Sequence, residues 1–310
     1  MSEEPEEPGG YSHEAFPYRD RAEFLAGVLS FLDPAARAGQ PALVLLPADQ
    51  LDLVRREFPA GAATVEYADI TEAGANPGRL IGVWRRFAAS HPGAVDLRGV
   101  CEPVYPGRSA AELAECELYE ALLNAAFDAA TPLRLMCAYD AASLPADVIA
   151  SARRTHPFVT DGKTRQASPA FQPLNLAEPY ARPLPAGPED AARLPFTRGE
   201  LGRLRAFVAT RARDAGLAER PATALVAAVN EIATNSLQHG GGRGELRVWA
   251  ESGALLCEVS DQGHLTEPLA GRLPPAADQG AGLWLANQLT DLVQIYSGPD
   301  GTVVRLSQRR

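Results

Sequence analysis

The 310-residue sequence contains a single lysine, Lys163, so arginine supplies every other fixed positive charge. Acidic residues outnumber basic ones 39 to 29, giving a net charge of −10. That balance excludes an extended basic surface, and no direct nucleic-acid partner is expected. Cysteine is scarce. Cys101, Cys116, Cys137 and Cys257 form no C-x-x-C pair, which fits a reducing compartment better than a disulfide framework and offers none of the usual zinc spacings. No apolar run reaches the roughly 18–20 residues that a membrane span requires. The opening "MSEEPEEPGG" is acidic rather than basic and then apolar, so no signal peptide is expected. These absences together predict a cytoplasmic protein without a membrane partner. A P-loop is also missing: the apolar run "ALVLLP" (42–47) is not followed by G-x-x-x-x-G-K-[ST], so nucleotide hydrolysis is not expected there.

What is present is an apolar content of 46%, enough for real cores. From residue 21 onward, helix-like and strand-like segments alternate. Helical spacing appears at 21–32, 48–58, 78–90, 109–127 and 145–154. Strand-like runs fall at 41–47, 63–69, 94–102 and 133–140. This alternation predicts an α/β domain over 11–164, with a parallel sheet covered on both faces, behind a disordered acidic tail at 1–10. Between 165 and 195 there are seven prolines in 31 residues, which predicts an extended linker over 165–196. A second domain is expected over 197–310. It begins with two helices, closed by Gly216 and Gly240, and continues as two strands joined at Ser252–Gly253. A Pro/Gly-rich segment at 264–281 leads to a helix over 282–291, and a hairpin turning on "GPDG" closes the chain.

The chemistry concentrates in the second domain. In "VNEIATNSLQHGGG" (229–242), Glu231, Asn235 and His239 recur every four residues. At 100° per residue they span about 80° of one helix face, away from the apolar stripe of Leu225, Val229, Ile232 and Ala233. Taken alone, such a stripe reads as a solvated edge. Downstream, "EVSDQG" places Asp261 at a strand end with Gly263 two residues on. A carboxylate there can accept from an exocyclic amine, and the glycine lets the backbone approach a flat ring. Then "GAGL" places Gly280, Gly282 and Leu283 where a helix opens, with free N–H groups for an anion.

The order E-x-x-x-N, D-x-G, G-x-G-L resembles the nucleotide-binding boxes of the GHKL ATPases, and 197–310 is most similar to the anti-sigma-factor serine kinases among them. The resemblance implies an α/β sandwich of a mixed sheet and three helices that binds ATP with Mg²⁺. It implies that Asn235 holds the Mg²⁺ ion, that Asp261 and Gly263 contact adenine together with Thr302, and that Gly280, Gly282 and Leu283 shape the phosphate loop. Glu231 would be the general base toward a serine hydroxyl. The implied partners are a sigma factor and a STAS-type anti-anti-sigma factor, with a homodimer as a further possibility. Two departures stand out: Leu265 occupies the second glycine position of D-x-G-x-G, and the 264–279 segment is short. Three readings stay open: a serine kinase that also sequesters a sigma factor, a sequestering module without catalysis, and a histidine-kinase-like protein. The last lacks a preceding helical hairpin with an accepting histidine.

The first domain resembles the MEDS sensory domain, which implies a RecA-like sheet without a P-loop. The matching residues are His13 and Tyr18 in "HEAFPY", Glu102, "YEALLN" (119–124), "CAYD" (137–140) and "THP" (155–157). His13, Cys101, Cys116, Cys137 and His156 can in principle converge on a metal or redox signal. Their spacing matches no zinc motif, however, so the cysteines are expected to be packing residues, and His156, which precedes Pro157, is expected to be a helix-end or loop residue rather than a ligand.

Overall fold

The computed structural model describes residues 10–58, 65–275 and 280–310. Residues 1–9 of the expected tail lie outside them, as do 63–64 of the third expected strand and 276–279 of the Pro/Gly-rich segment. The chain forms two compact units, Met1–Leu174 and Asn175–Arg310.

The first unit runs β1 (Ser12–Tyr18), α1 (Arg21–Arg37), β2 (Ala42–Leu46), α2 (Ala48–Glu57), β3 (Val65–Asp69), α3 (Ile70–Ala73) and α4 (Leu80–Ser90). It continues with β4 (Leu97–Cys101), α5 (Ala110–Leu123), β5 (Leu133–Asp140), α6 (Ala146–Thr155), β6 (Phe158–Thr160) and β7 (Arg165–Ala167). The sheet order is β3-β2-β4-β5-β1-β6-β7. All pairs are parallel except β6 with β7. This is the parallel α/β sheet expected for a RecA-like sensory domain. β2 and β4 are buried along their whole length, as strands covered on both faces must be.

The central strand β1 was not among the expected strands. Its sequence "SHEAFPY" does not alternate, and Pro17 argues against a central position. The structure tolerates the proline because β6 pairs only with Glu14 and Ala15, so Pro17 lies past the doubly paired stretch.

The second unit runs β8 (Ala192–Thr197), α7 (Leu201–Asp214), α8 (Glu219–His239), β9 (Arg243–Glu251), β10 (Ala254–Asp261), α9 (Gly282–Leu289), β11 (Leu292–Gly298) and β12 (Gly301–Arg309). Helix α8 packs on β9, β10 and β12, with α7 and α9 beside it. The strand order is β11-β12-β10-β9-β8 with every pairing antiparallel, whereas the resemblance implied a mixed sheet. For two of the four pairings, β9–β10 and β11–β12, the physical reason is local. The β9–β10 turn puts Ser252 (φ 48°) and Gly253 (φ 81°) in left-handed conformations, and the two-residue β11–β12 connection ends at Gly301 (φ 118°). Tight turns of this kind join antiparallel neighbours only.

On one face of this sheet, Arg247, Glu258 and Arg305 are direct cross-strand neighbours. Glu258 accepts from Arg247 Nη1 at 3.1 Å and from Arg305 Nε at 2.9 Å. The same arginines donate to the carbonyls of Pro188 and Pro185, each at 2.7 Å. Part of the proline-rich 165–196 segment is thereby laid against the sheet, while its two ends form β7 and β8.

Candidate functional site

Helix α8 presents two faces. Leu225, Val229, Ile232 and Ala233 are buried, whereas Glu231 and Asn235 are half-exposed and His239 is exposed. Among the described residues, the Glu231 carboxylate, the Asn235 carboxamide and the His239 ring make no hydrogen bond or ion pair. Asn235 lies against the first turn of α9. A Cβ on Gly282 would come within 2.8 Å of Asn235 Nδ2, so the absence of a side chain at 282 is what admits the carboxamide.

Next to Asn235, the Ser236 hydroxyl donates to Asp261 Oδ2 at 2.5 Å, and the Gly263 N–H donates to Oδ1 at 2.7 Å. Asp261 pairs in register with Thr302, whose hydroxyl donates to the Gly263 carbonyl at 2.9 Å. Ser297 Oγ lies 3.1 Å from Thr302 Oγ1 and accepts from the Leu265 N–H at 2.8 Å. One polar chain thus links α8, the D-x-G turn and both strands of the final hairpin. Each Asp261 oxygen keeps lone-pair capacity for a further donor.

The structure therefore brings Asn235 to Gly282, and Asp261 to Gly263 and Thr302. Glu231 sits one helical turn before Asn235. Leu283 is turned toward Gly271 and half-buried. Gly280 stands apart, exposed, with open space where a Cβ would be. The three glycines after α8 divide their work. Gly241 (φ 85°) and Gly242 (φ 77°) make the left-handed turn into β9. Gly240 has φ −100° and is required for a different reason: a Cβ there would lie 2.3 Å from the Asp261 carboxyl carbon. Ser236, Ser297 and the role of Gly240 were not read from the sequence. A small polar residue on the apolar stripe of α8 was the available signal for Ser236.

The first unit carries its own polar cluster. His13 on β1, Cys137 on β5, Glu120 on α5 and His156 at the end of α6 are all buried, and their candidate ligand atoms lie within 4.8 Å of one another. Helix α5 is set by a capping box, in which Ser109 and Glu112 exchange side chain-to-backbone hydrogen bonds. Helix α6 stops because His156 precedes Pro157 and is extended (φ −108°, ψ 128°). Burial, reinforced by His13, pushes His156 down to about 3, leaving it a neutral imidazole. Cys101 Sγ lies 3.3 Å from Cys137 Sγ, whereas Cys116 turns away to the Pro103 carbonyl. The expectation of His156 as a helix-end residue describes its backbone, but its ring faces the cluster. Glu120 was visible only as a letter in "YEALLN".

Beyond the end of β4, Glu102 is also buried. It accepts from the Tyr18 hydroxyl at 3.2 and 3.3 Å, and Gln50 donates to that same hydroxyl at 2.9 Å. Burial pushes the Glu102 carboxyl up to about 8 against the opposing effect of these hydrogen bonds.

Residues 12–157 match the family model of MEDS, the MEthanogen/methylotroph, DcmR Sensory domain, and residues 194–308 match that of the histidine kinase-like ATPase domain. The chain joins a MEDS-type sensory domain to a histidine kinase-like ATPase domain. No curated protein matches the sequence significantly. Among solved structures, it is similar to the RsbU and RsbW domains of Rv1364c from Mycobacterium tuberculosis, at 20% identity and a TM-score of 0.30. That match covers 38% of this chain and 32% of the other. No helix among the described residues is long and apolar enough to cross a membrane.

Proposed function

We propose that the C-terminal unit binds Mg²⁺-ATP and acts as a serine kinase on a STAS-type anti-anti-sigma partner, that it sequesters a sigma factor, and that the N-terminal sensory unit gates this switch. The observation that carries the reading is the pairing of an uncommitted polar edge, Glu231 and Asn235, with Gly282 at the opening of α9. The donor set fits the nucleotide. Asn235 offers a free carboxamide oxygen to Mg²⁺, and Asp261 keeps acceptor capacity for the adenine amine. Gly263 and Thr302 hold the adenine end. The chain from Gly280 through Gly282 to Leu283 offers backbone N–H groups to phosphate. ATP supplies a transferable phosphoryl group. Glu231, one turn from Asn235, is the carboxylate that accepts the proton of an incoming serine hydroxyl.

The test is transfer of label from γ-labelled ATP to candidate STAS proteins, with Mg²⁺-ATP calorimetry alongside. Glu231→Ala should bind ATP normally and lose about 10²–10⁴-fold in transfer. If wild type binds ATP yet labels no STAS protein, the kinase reading fails. A second reading, a sequestering module without phosphoryl transfer, is favoured by Leu265, which replaces a glycine and commits its N–H to Ser297. Under that reading, Asn235→Ala leaves sigma-factor binding unchanged.

A further inference from the structure

We propose that His13, Glu120, Cys137 and His156 form a closed, tetrahedral zinc centre inside the MEDS-type unit. The inference stands apart from the nucleotide reading and rests on four features of this cluster.

The first is size. Zinc bonds of 2.0–2.3 Å place tetrahedral ligands roughly 3.3–3.8 Å from one another. His13 Nε2 lies 2.9 Å from Glu120 Oε2 and 3.3 Å from Cys137 Sγ. Glu120 Oε2 lies 3.4 Å from Cys137 Sγ and 3.5 Å from His156 Nε2. Three of these four separations are within about 0.2 Å of that range and the fourth is shorter, and all four atoms, from two strands and two helices, lie within 4.8 Å of one another, so small side-chain shifts would close one coordination shell.

The second is an unmet lone pair. The His156 Nδ1–H donates to the Ala152 carbonyl at 2.7 Å, which leaves Nε2 as a bare acceptor. That atom is fully buried without a hydrogen-bond donor, and it faces a carboxylate oxygen. Two electron-rich atoms confronting each other in the protein interior are costly, and a cation between them removes the cost.

The third is the surrounding support, which has the form found around metal ligands. Asn124 Nδ2 donates to the carbonyls of Thr155 and Glu120, so its Oδ1 is left to accept from His13 Nδ1 at 3.0 Å. Both imidazoles thus engage an oxygen through Nδ1 and turn Nε2 inward. The Tyr139 hydroxyl holds the other Glu120 oxygen at 3.1 Å.

The fourth is charge and type. One thiolate and one carboxylate neutralise a divalent ion, and two neutral imidazoles complete the shell, so the filled site carries no net charge into the core. A nitrogen, sulfur and oxygen donor set of this kind suits zinc and not magnesium or calcium. With His13, Glu120, Cys137 and His156 each no more than 1% exposed, no position is left for water or substrate, which marks a structural rather than a catalytic centre.

The experiment uses the full chain, purified with zinc and with a reductant that keeps Cys101 and Cys137 as thiols. Metal analysis should find one zinc per chain in wild type and in Cys116→Ser, and essentially none in His156→Ala or Cys137→Ser. Because those ligand variants can fail to fold, chelator-stripped wild type is also titrated with Co²⁺. Tetrahedral absorption with a thiolate-to-metal charge-transfer band is expected, and Tyr139→Phe should weaken Co²⁺ affinity by about 10-fold. Folded wild type that takes up neither zinc nor cobalt overturns the proposal. So does a cobalt spectrum without the thiolate band.

Discussion

The Ser236 hydroxyl donates to Oδ2 of Asp261 at 2.5 Å, tying the helix that carries Glu231 and Asn235 to the D-x-G turn. Ser236 is 1% exposed, so the contact is made inside the domain. Ser236→Ala leaves Asp261 short of one donor and should cost about 1–2 kcal/mol in stability, measured by urea denaturation. The larger effect should fall on ATP affinity, because Asp261 loses one of the two contacts that orient it.

Gly240→Ala tests the same wall from the other side. The added methyl would meet the Asp261 side chain at 2.3–2.6 Å, closer than side chains tolerate. Asp261 must move, at a cost of about 1–3 kcal/mol. Calorimetry should then show nucleotide binding weakened more than in a Gly242→Asn control. At 242 only the positive φ matters, and asparagine accepts it.

The arginine pair on the outer face of the C-terminal sheet depends on Glu258. Glu258→Ala leaves Arg247 and Arg305 facing each other without their shared carboxylate, and Arg305 is 7% exposed. A loss of about 3–5 kcal/mol is expected by chemical denaturation. The segment around Pro185–Pro188 should also become protease-sensitive, because those arginines anchor its carbonyls.

Glu102 gives the N-terminal unit a pH signature. Its folded value, near 8, lies above the ordinary carboxyl value of 4.5. The folded state therefore binds a proton that the unfolded chain has released. This stabilising contribution is complete below about pH 4.5 and is lost progressively as pH rises toward 8. Urea denaturation across that window should show stability falling with pH in wild type and a flatter profile in Glu102→Gln. Equal slopes for the two proteins would remove Glu102 as the source.

The amino-acid sequence by itself determined the elements and the spacing of the polar groups. Helix and strand periods follow from which residues are apolar. Asn235 follows Glu231 by one turn because a helix has 3.6 residues per turn, and Gly282 opens α9 in the sequence as it does in the fold. Strands β1, β6, β7 and β8 escaped: β1 is short, does not alternate and contains a proline, β6 and β7 have three residues each, and β8 begins inside the proline-rich segment. Tertiary structure alone decided which groups meet. Ser236 reaches Asp261 only because α8 packs across β10. His13, Glu120, Cys137 and His156, spread over more than 140 residues, converge because the order β4-β5-β1-β6 seats distant segments side by side, with α5 and α6 packed near them. Spacing along a chain carries no record of that order, since strand pairing is fixed by burial and crossover geometry rather than by local pattern.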